Sequence, residues 1–143
     1  MIRTSKNLED TQQIAEDFVR DLVPKNTALV VGLYGDLGSG KTTFTQQVAK
    51  ALGITETVTS PTFVIEKIYT ISHNSFTQLI HIDAYRLESS KELVQLHWQE
   101  IINDPKNIIM LEWPERVADI LPDGMAKLTF IFIDETTREV EVG

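Results

Sequence analysis

The chain has 143 residues, 42% of them hydrophobic, which suffices for one hydrophobic core and leaves no room for a second domain. Its 13 basic residues are scattered among 21 acidic ones for a net charge of −8, which argues against a general nucleic-acid binder and against DNA as a partner, because phosphate neutralisation needs clustered Lys and Arg. The absence of cysteine rules out a disulfide framework and a thiolate metal site. The lack of a long apolar run, or of an apolar core in residues 1–7, leads us to expect a cytoplasmic protein with neither membrane span nor signal peptide.

In chain order, Asn7 is placed to cap a helix whose Thr11, Ile14, Ala15, Phe18 and Leu22 share one face and which ends before Pro24. The run Ala28-Leu-Val-Val-Gly-Leu-Tyr34 reads as a strand buried on both faces. It leads directly into Gly35-Asp-Leu-Gly-Ser-Gly-Lys-Thr42, a complete G-x-x-x-x-G-K-[ST] phosphate loop, and then a helix running to about Leu52 with Gly53 as its stop. The glycines let backbone N–H groups curl around phosphate oxygens, Lys41 reaches the β- and γ-phosphates, and Thr42 offers a hydroxyl to Mg²⁺. Alternating segments near 63–71 and 76–83, separated by Ser72-His-Asn-Ser75, read as a hairpin with a four-residue turn. Such a hairpin makes the sheet mixed.

Ser89 and Glu92 have capping-box spacing and open a helix with Leu93, Leu96 and Ile101 on one side, broken near Asp104-Pro105. Asn107-Ile-Ile-Met-Leu-Glu112 is a second buried strand. A short helical piece at 115–120, the turn Pro122-Asp-Gly124 and two strands near 126–133 and 138–142, joined by Asp134-Glu-Thr-Thr137, close the domain as an edge hairpin. The expected fold class is α/β, with helices flanking a mixed, largely central sheet.

Polar residues gather at the ends of these strands. Glu112 ends a buried strand, where open α/β sheets collect ligand groups, and takes the place of a Walker B carboxylate, although Asp is commoner there. In His81-Ile-Asp-Ala-Tyr-Arg-Leu87 the chain leaves the sheet at Asp83. Either Asp83 orients an attacking water and Arg86 meets phosphate or a partner surface, or the segment is a salt-bridged turn with His81 half-buried on its strand. In Ser60-Pro-Thr-Phe63, Thr62 either senses the γ-phosphate or sits in a plain turn. Trp113 either stacks near the nucleotide or packs in the core.

Together, the phosphate loop, Ser60-Pro-Thr-Phe63, His81-Ile-Asp-Ala-Tyr-Arg-Leu87, Leu111-Glu-Trp-Pro-Glu115 and Leu121-Pro122 resemble, in order and spacing, the TsaE (YjeE) family. These are small bacterial P-loop ATPases needed for threonylcarbamoyladenosine modification of tRNA, and the resemblance spans nearly the whole chain. It implies one P-loop ATPase domain over 1–143 that takes ATP and Mg²⁺. Asp36, Leu37, Gly38, Ser39, Gly40, Lys41, Thr42 and Thr43 would form its nucleotide-binding stretch, with Arg86 and the nucleotide-proximal Trp113 also on the ligand. Thr42 and Glu112 would hold the metal, and Asp83, Glu112 and Thr62 would be the catalytic residues. The implied partners are TsaD and TsaB, with hydrolysis resetting their assembly and tRNA met only through it. One departure stands out: where members often carry a Leu-Gly pair, Leu96 is followed here by His97.

Two other readings fit a phosphate loop. A small-molecule or nucleotide kinase usually deploys several arginines around the transferring phosphate, and this chain has five with no arginine-rich lid. A GTP-type switch needs a guanine-reading Asn/Thr-Lys-x-Asp motif, which is absent from the sequence.

Overall fold

The computed structural model describes residues 1–56, 58 and 65–143. In chain order these form β1 (Ile2–Ser5), α1 (Leu8–Arg20), β2 (Leu29–Tyr34), α2 (Lys41–Ala51), β3 (Glu66–His73), β4 (Phe76–Asp83), α3 (Ser90–Val94), α4 (Trp98–Asn103), β5 (Asn107–Glu112), a 3-10 segment (Pro114–Ile120), β6 (Ala126–Phe132) and β7 (Arg138–Val142). Local chemistry accounts for several boundaries. Asn7 accepts the Asp10 N–H at 2.8 Å to start α1, and Ser89 and Glu92 form the expected reciprocal capping box at α3.

The strands build one seven-stranded sheet in the order β1-β7-β6-β2-β5-β4-β3. The centre, β6-β2-β5-β4, is parallel, and the flanking pairs are antiparallel, so the sheet is mixed as expected. Both faces of the parallel centre are covered, which is why β2 and β5 are continuously apolar. Val31, Leu33, Leu79, Ile108 and Met110 belong to a core shared with α1 and α2. Val30, Ile80, Ile82, Ile109 and Leu111 belong to a second core with Leu93 of α3 and Trp98 of α4. A chain of rings, Phe18–Phe44 at 5.7 Å and Phe44–Phe130 at 5.3 Å, ties α1 and α2 to β6.

Four local expectations change. The last two strands are no edge hairpin: β6 lies inside the sheet, parallel to β2, and β7 is covered by β1, a strand that residues 2–5 are too short to announce by pattern. The β3–β4 turn has two residues rather than four, because His73 pairs with Phe76 across Asn74 and Ser75, with Asn74 at φ 53°. The helix expected from Ser89 to about residue 103 is two helices, since His97 adopts the left-handed conformation (φ 64°, ψ 36°) between α3 and α4. That conformation suits glycine better than a residue with a Cβ. His81, finally, is wholly buried rather than half-buried.

Candidate active site

The register of the parallel strands aligns their C-terminal ends. Leu33 and Asp83 both sit opposite Glu112, so the ends of β2, β4 and β5 meet beside the phosphate loop, the usual ligand position in an open α/β sheet. A cleft of about 600 Å³ opens there.

Gly35 to Gly40 turn the chain from β2 into α2. Gly35 has φ 141°, and a Cβ on it would meet the Phe130 carbonyl oxygen at 2.6 Å, so no other residue fits without moving backbone. Gly40, at φ 105°, precedes the first residue of α2 and offers that helix no side-chain cap. The first turn of α2 also carries no acid, which leaves its N–H groups and positive dipole end facing the cleft, an arrangement suited to an anion. The Ser39 hydroxyl is buried and has no hydrogen-bond partner among the described residues.

Lys41 is buried, its ammonium donating to the Gly35 carbonyl and lying 3.5 Å from the centre of the Trp113 ring. Burial pulls its pKa below the ordinary lysine value, and the charges of Glu112, Glu115, Asp83 and Asp36 oppose that pull. Thr42 donates its hydroxyl to Glu112, 3.1 Å from Oε1 and 3.3 Å from Oε2. Glu112 is itself buried and takes a second contact from His81 Nε2 at 2.6 Å. Trp113 turns the chain out of β5 at φ 60° and packs its ring 5.0 Å from Tyr85. It therefore walls the cleft and holds Lys41 while also packing against the second core, as the core-packing reading expected.

Leu37, Gly38, Ser39, Gly40, Lys41, Thr42, Thr43, Asp83, Glu112 and Trp113 all line the cleft. Asp36 is exposed at the loop's shoulder, its carbonyl taking the Ser39 N–H at 3.1 Å, and Arg86 is exposed; neither is among the described lining residues. Thr62 lies outside the described residues. Several groups on the cleft wall or beneath it escaped sequence reasoning, among them His81, Arg138, Asn7 and Thr11. His81 had a usable signal, since it stands two residues before Asp83 and thus on the same strand face. Arg138 had none, because only the β6–β7 pairing brings it to the phosphate loop. Its guanidinium sits 4.4 Å from the Phe132 ring and donates to the Thr137 carbonyl at 3.1 Å. Asn7 and Thr11 reach the same wall because β1 pairs with β7.

The Thr42 hydroxyl and the Glu112 carboxylate are oxygen donors of the kind Mg²⁺ prefers. No cluster of three or more His, Cys, Asp or Glu that would hold a metal occurs among the described residues. Mg²⁺ that shares substrate phosphates and keeps several waters needs no such cluster, so the residues present fit that ion.

Among the described residues no helix is long and apolar enough to cross a membrane. The family model "Threonylcarbamoyl adenosine biosynthesis protein TsaE" matches residues 5–140. Relatives named tRNA threonylcarbamoyladenosine biosynthesis protein TsaE include those of Treponema pallidum, 37% identical and covering 79% of this chain and 80% of the relative, and Bacillus subtilis, 34% identical and covering 94% and 79%. The crystal structure of Bacillus subtilis YdiB superposes with a TM-score of 0.78 at 29% identity, over 99% of this chain and 83% of that one, and the fold is a P-loop fold. The chain thus belongs to the TsaE family of threonylcarbamoyladenosine biosynthesis proteins.

Proposed function

We propose that this chain, as one domain over 1–143, binds and hydrolyses Mg²⁺-ATP in the cytoplasm in support of threonylcarbamoyladenosine modification of tRNA. It does so by acting on TsaB and TsaD, and meets tRNA only through them. The supporting observation is the meeting of Thr42 and Glu112 at 3.1 Å beside a complete phosphate loop in a TsaE-family chain. The net charge of −8 agrees with an indirect route to tRNA.

Bound Mg²⁺ would neutralise charge on the β- and γ-phosphates. The chain's own groups do the remaining work. The loop amides from Asp36 to Thr43 and the first turn of α2 cradle the phosphates. Lys41 exchanges the Gly35 carbonyl and the Trp113 ring for phosphate oxygens, and Trp113 stays against the ligand. Thr42 and Glu112 hold the metal, and Asp83 or Thr62 orders the attacking water. Arg86 is assigned to ligand or partner contacts, and a transition-state guanidinium can come from a partner in trans.

The test is ATP hydrolysis by the purified chain with Mg²⁺, alone and with TsaB and TsaD from the same source. Stimulation by the pair is expected. An unchanged rate with ATP still bound would remove the partner assignment, and failure to bind Mg²⁺-ATP would remove the ATPase itself.

A further inference from the structure

Glu112 has almost no contact with water, at 3% exposure, and a buried charge persists only where donors meet it. Thr42 has one hydroxyl proton, which cannot serve both carboxylate oxygens although it lies within reach of each. The second donor is the fully buried His81, whose Nε2 stands 2.6 Å from Oε2, a close hydrogen-bond contact.

An ionised carboxylate only accepts, so Nε2 carries the ring proton in this contact. Nδ1, which has no hydrogen-bond partner among the described residues, then keeps a lone pair. The opposite tautomer would bury an N–H with nothing among the described residues to receive it and set lone pairs against each other across 2.6 Å. Sheet register places the ring: His81 pairs with Met110 and Asp83 with Glu112, so His81 lies one step behind the carboxylate on the same face.

We propose that His81 is a positioning residue for the cation site: its Nε2–H holds Oε2 of Glu112, fixes that side chain's rotamer, and leaves Oε1, with Thr42, as the oxygen offered to Mg²⁺. The inference rests on the Mg²⁺-ATP reading above. A packing role would be met by any apolar side chain of similar volume, whereas positioning requires a donor where Nε2 stands. Gln places its amide nitrogen near that point; Leu places nothing there.

The experiment is equilibrium binding of a fluorescent ATP analogue, with Mg²⁺ and with EDTA, to the parent, His81→Gln and His81→Leu, alongside thermal unfolding of each. All three should bind alike in EDTA. His81→Leu should lose the Mg²⁺-dependent gain in affinity by about ten-fold or more, the usual effect of removing such a supporting hydrogen bond, and His81→Gln should recover most of it. An equal Mg²⁺-dependent gain in His81→Leu and the parent would overturn the role of His81 while leaving Mg²⁺-ATP binding intact. No Mg²⁺-dependent gain in the parent would overturn both. Should His81→Leu fail to fold, ¹⁵N NMR of the parent decides: an Nε2-protonated His81 ring that shifts when Mg²⁺ joins bound nucleotide is expected, and an Nδ1-protonated ring, or one indifferent to Mg²⁺, refutes the proposal.

Discussion

Replacing Glu112 with Gln removes a buried charge at constant shape, and the structure sets two opposing effects. The bonds from Thr42 at 3.1 Å and His81 at 2.6 Å change from charge-assisted to neutral. That change costs about 1 kcal/mol each, about 2 kcal/mol together. Against this, an amide avoids the desolvation of a carboxylate at 3% exposure, a relief of a few kcal/mol. The net change in stability should stay within about 2 kcal/mol, a Tm shift of roughly 6 °C or less for a chain of this size. Ligand stabilisation should respond quite differently. Saturation at a hundred times Kd adds about 2.7 kcal/mol to the parent, roughly 8 °C. In Glu112→Gln the Mg²⁺-dependent part of that gain should vanish, because a metal donor is gone and Lys41 loses the foremost of the charges that oppose the downward pull of burial on its pKa. Circular dichroism melts without ligand, with ATP and EDTA, and with ATP and Mg²⁺ separate the two effects. A full Mg²⁺-dependent shift in the variant would refute the metal role. A drop above about 15 °C without ligand would show that the charge itself holds the fold, which a near-cancellation of the two effects does not allow.

Lys41→Ala should weaken nucleotide binding by at least ten- to a hundred-fold, the worth of a charge-assisted contact to phosphate, and unchanged affinity by calorimetry would dismiss the assignment. His97→Gly should stabilise the chain by roughly 0.5–1 kcal/mol in urea unfolding, since glycine adopts the left-handed turn between α3 and α4 without the Cβ penalty; a lower midpoint would mean that the His97 side chain outweighs it. Burial pushes the Glu66 carboxyl above its ordinary value, with His97 partly opposing, so its ionisation works against the folded state at neutral pH. Glu66→Gln should therefore raise Tm at pH 7, and the gain should fade as pH falls from the raised folded-state value to the ordinary carboxyl value of 4.5, below which the parent's group is protonated in both states; a gain independent of pH would contradict this.

Much of the molecule is written in short stretches of sequence. The phosphate loop at 35–42, the doubly buried β2 and β5, and the caps at Asn7 and Ser89 each depend on residues within a few positions of one another, so spacing and residue type alone place them. With them came the α/β class and the carboxylate at the end of β5. What the tertiary structure decided is everything that rests on pairing between distant segments. β1 exists because β7 supplies its hydrogen bonds; β6 enters the sheet because β2 does. His97 breaks a helical pattern that local periodicity carries straight through. The same holds inside the site. His81 reaches Glu112 across 31 positions, Thr42 reaches it across 70, and Arg138 meets the phosphate loop through a hairpin that begins far downstream. Periodicity reveals which face of a strand is buried, but the sheet order and register that join one strand end to another are settled by the packing of the whole chain, and that is where this site is assembled.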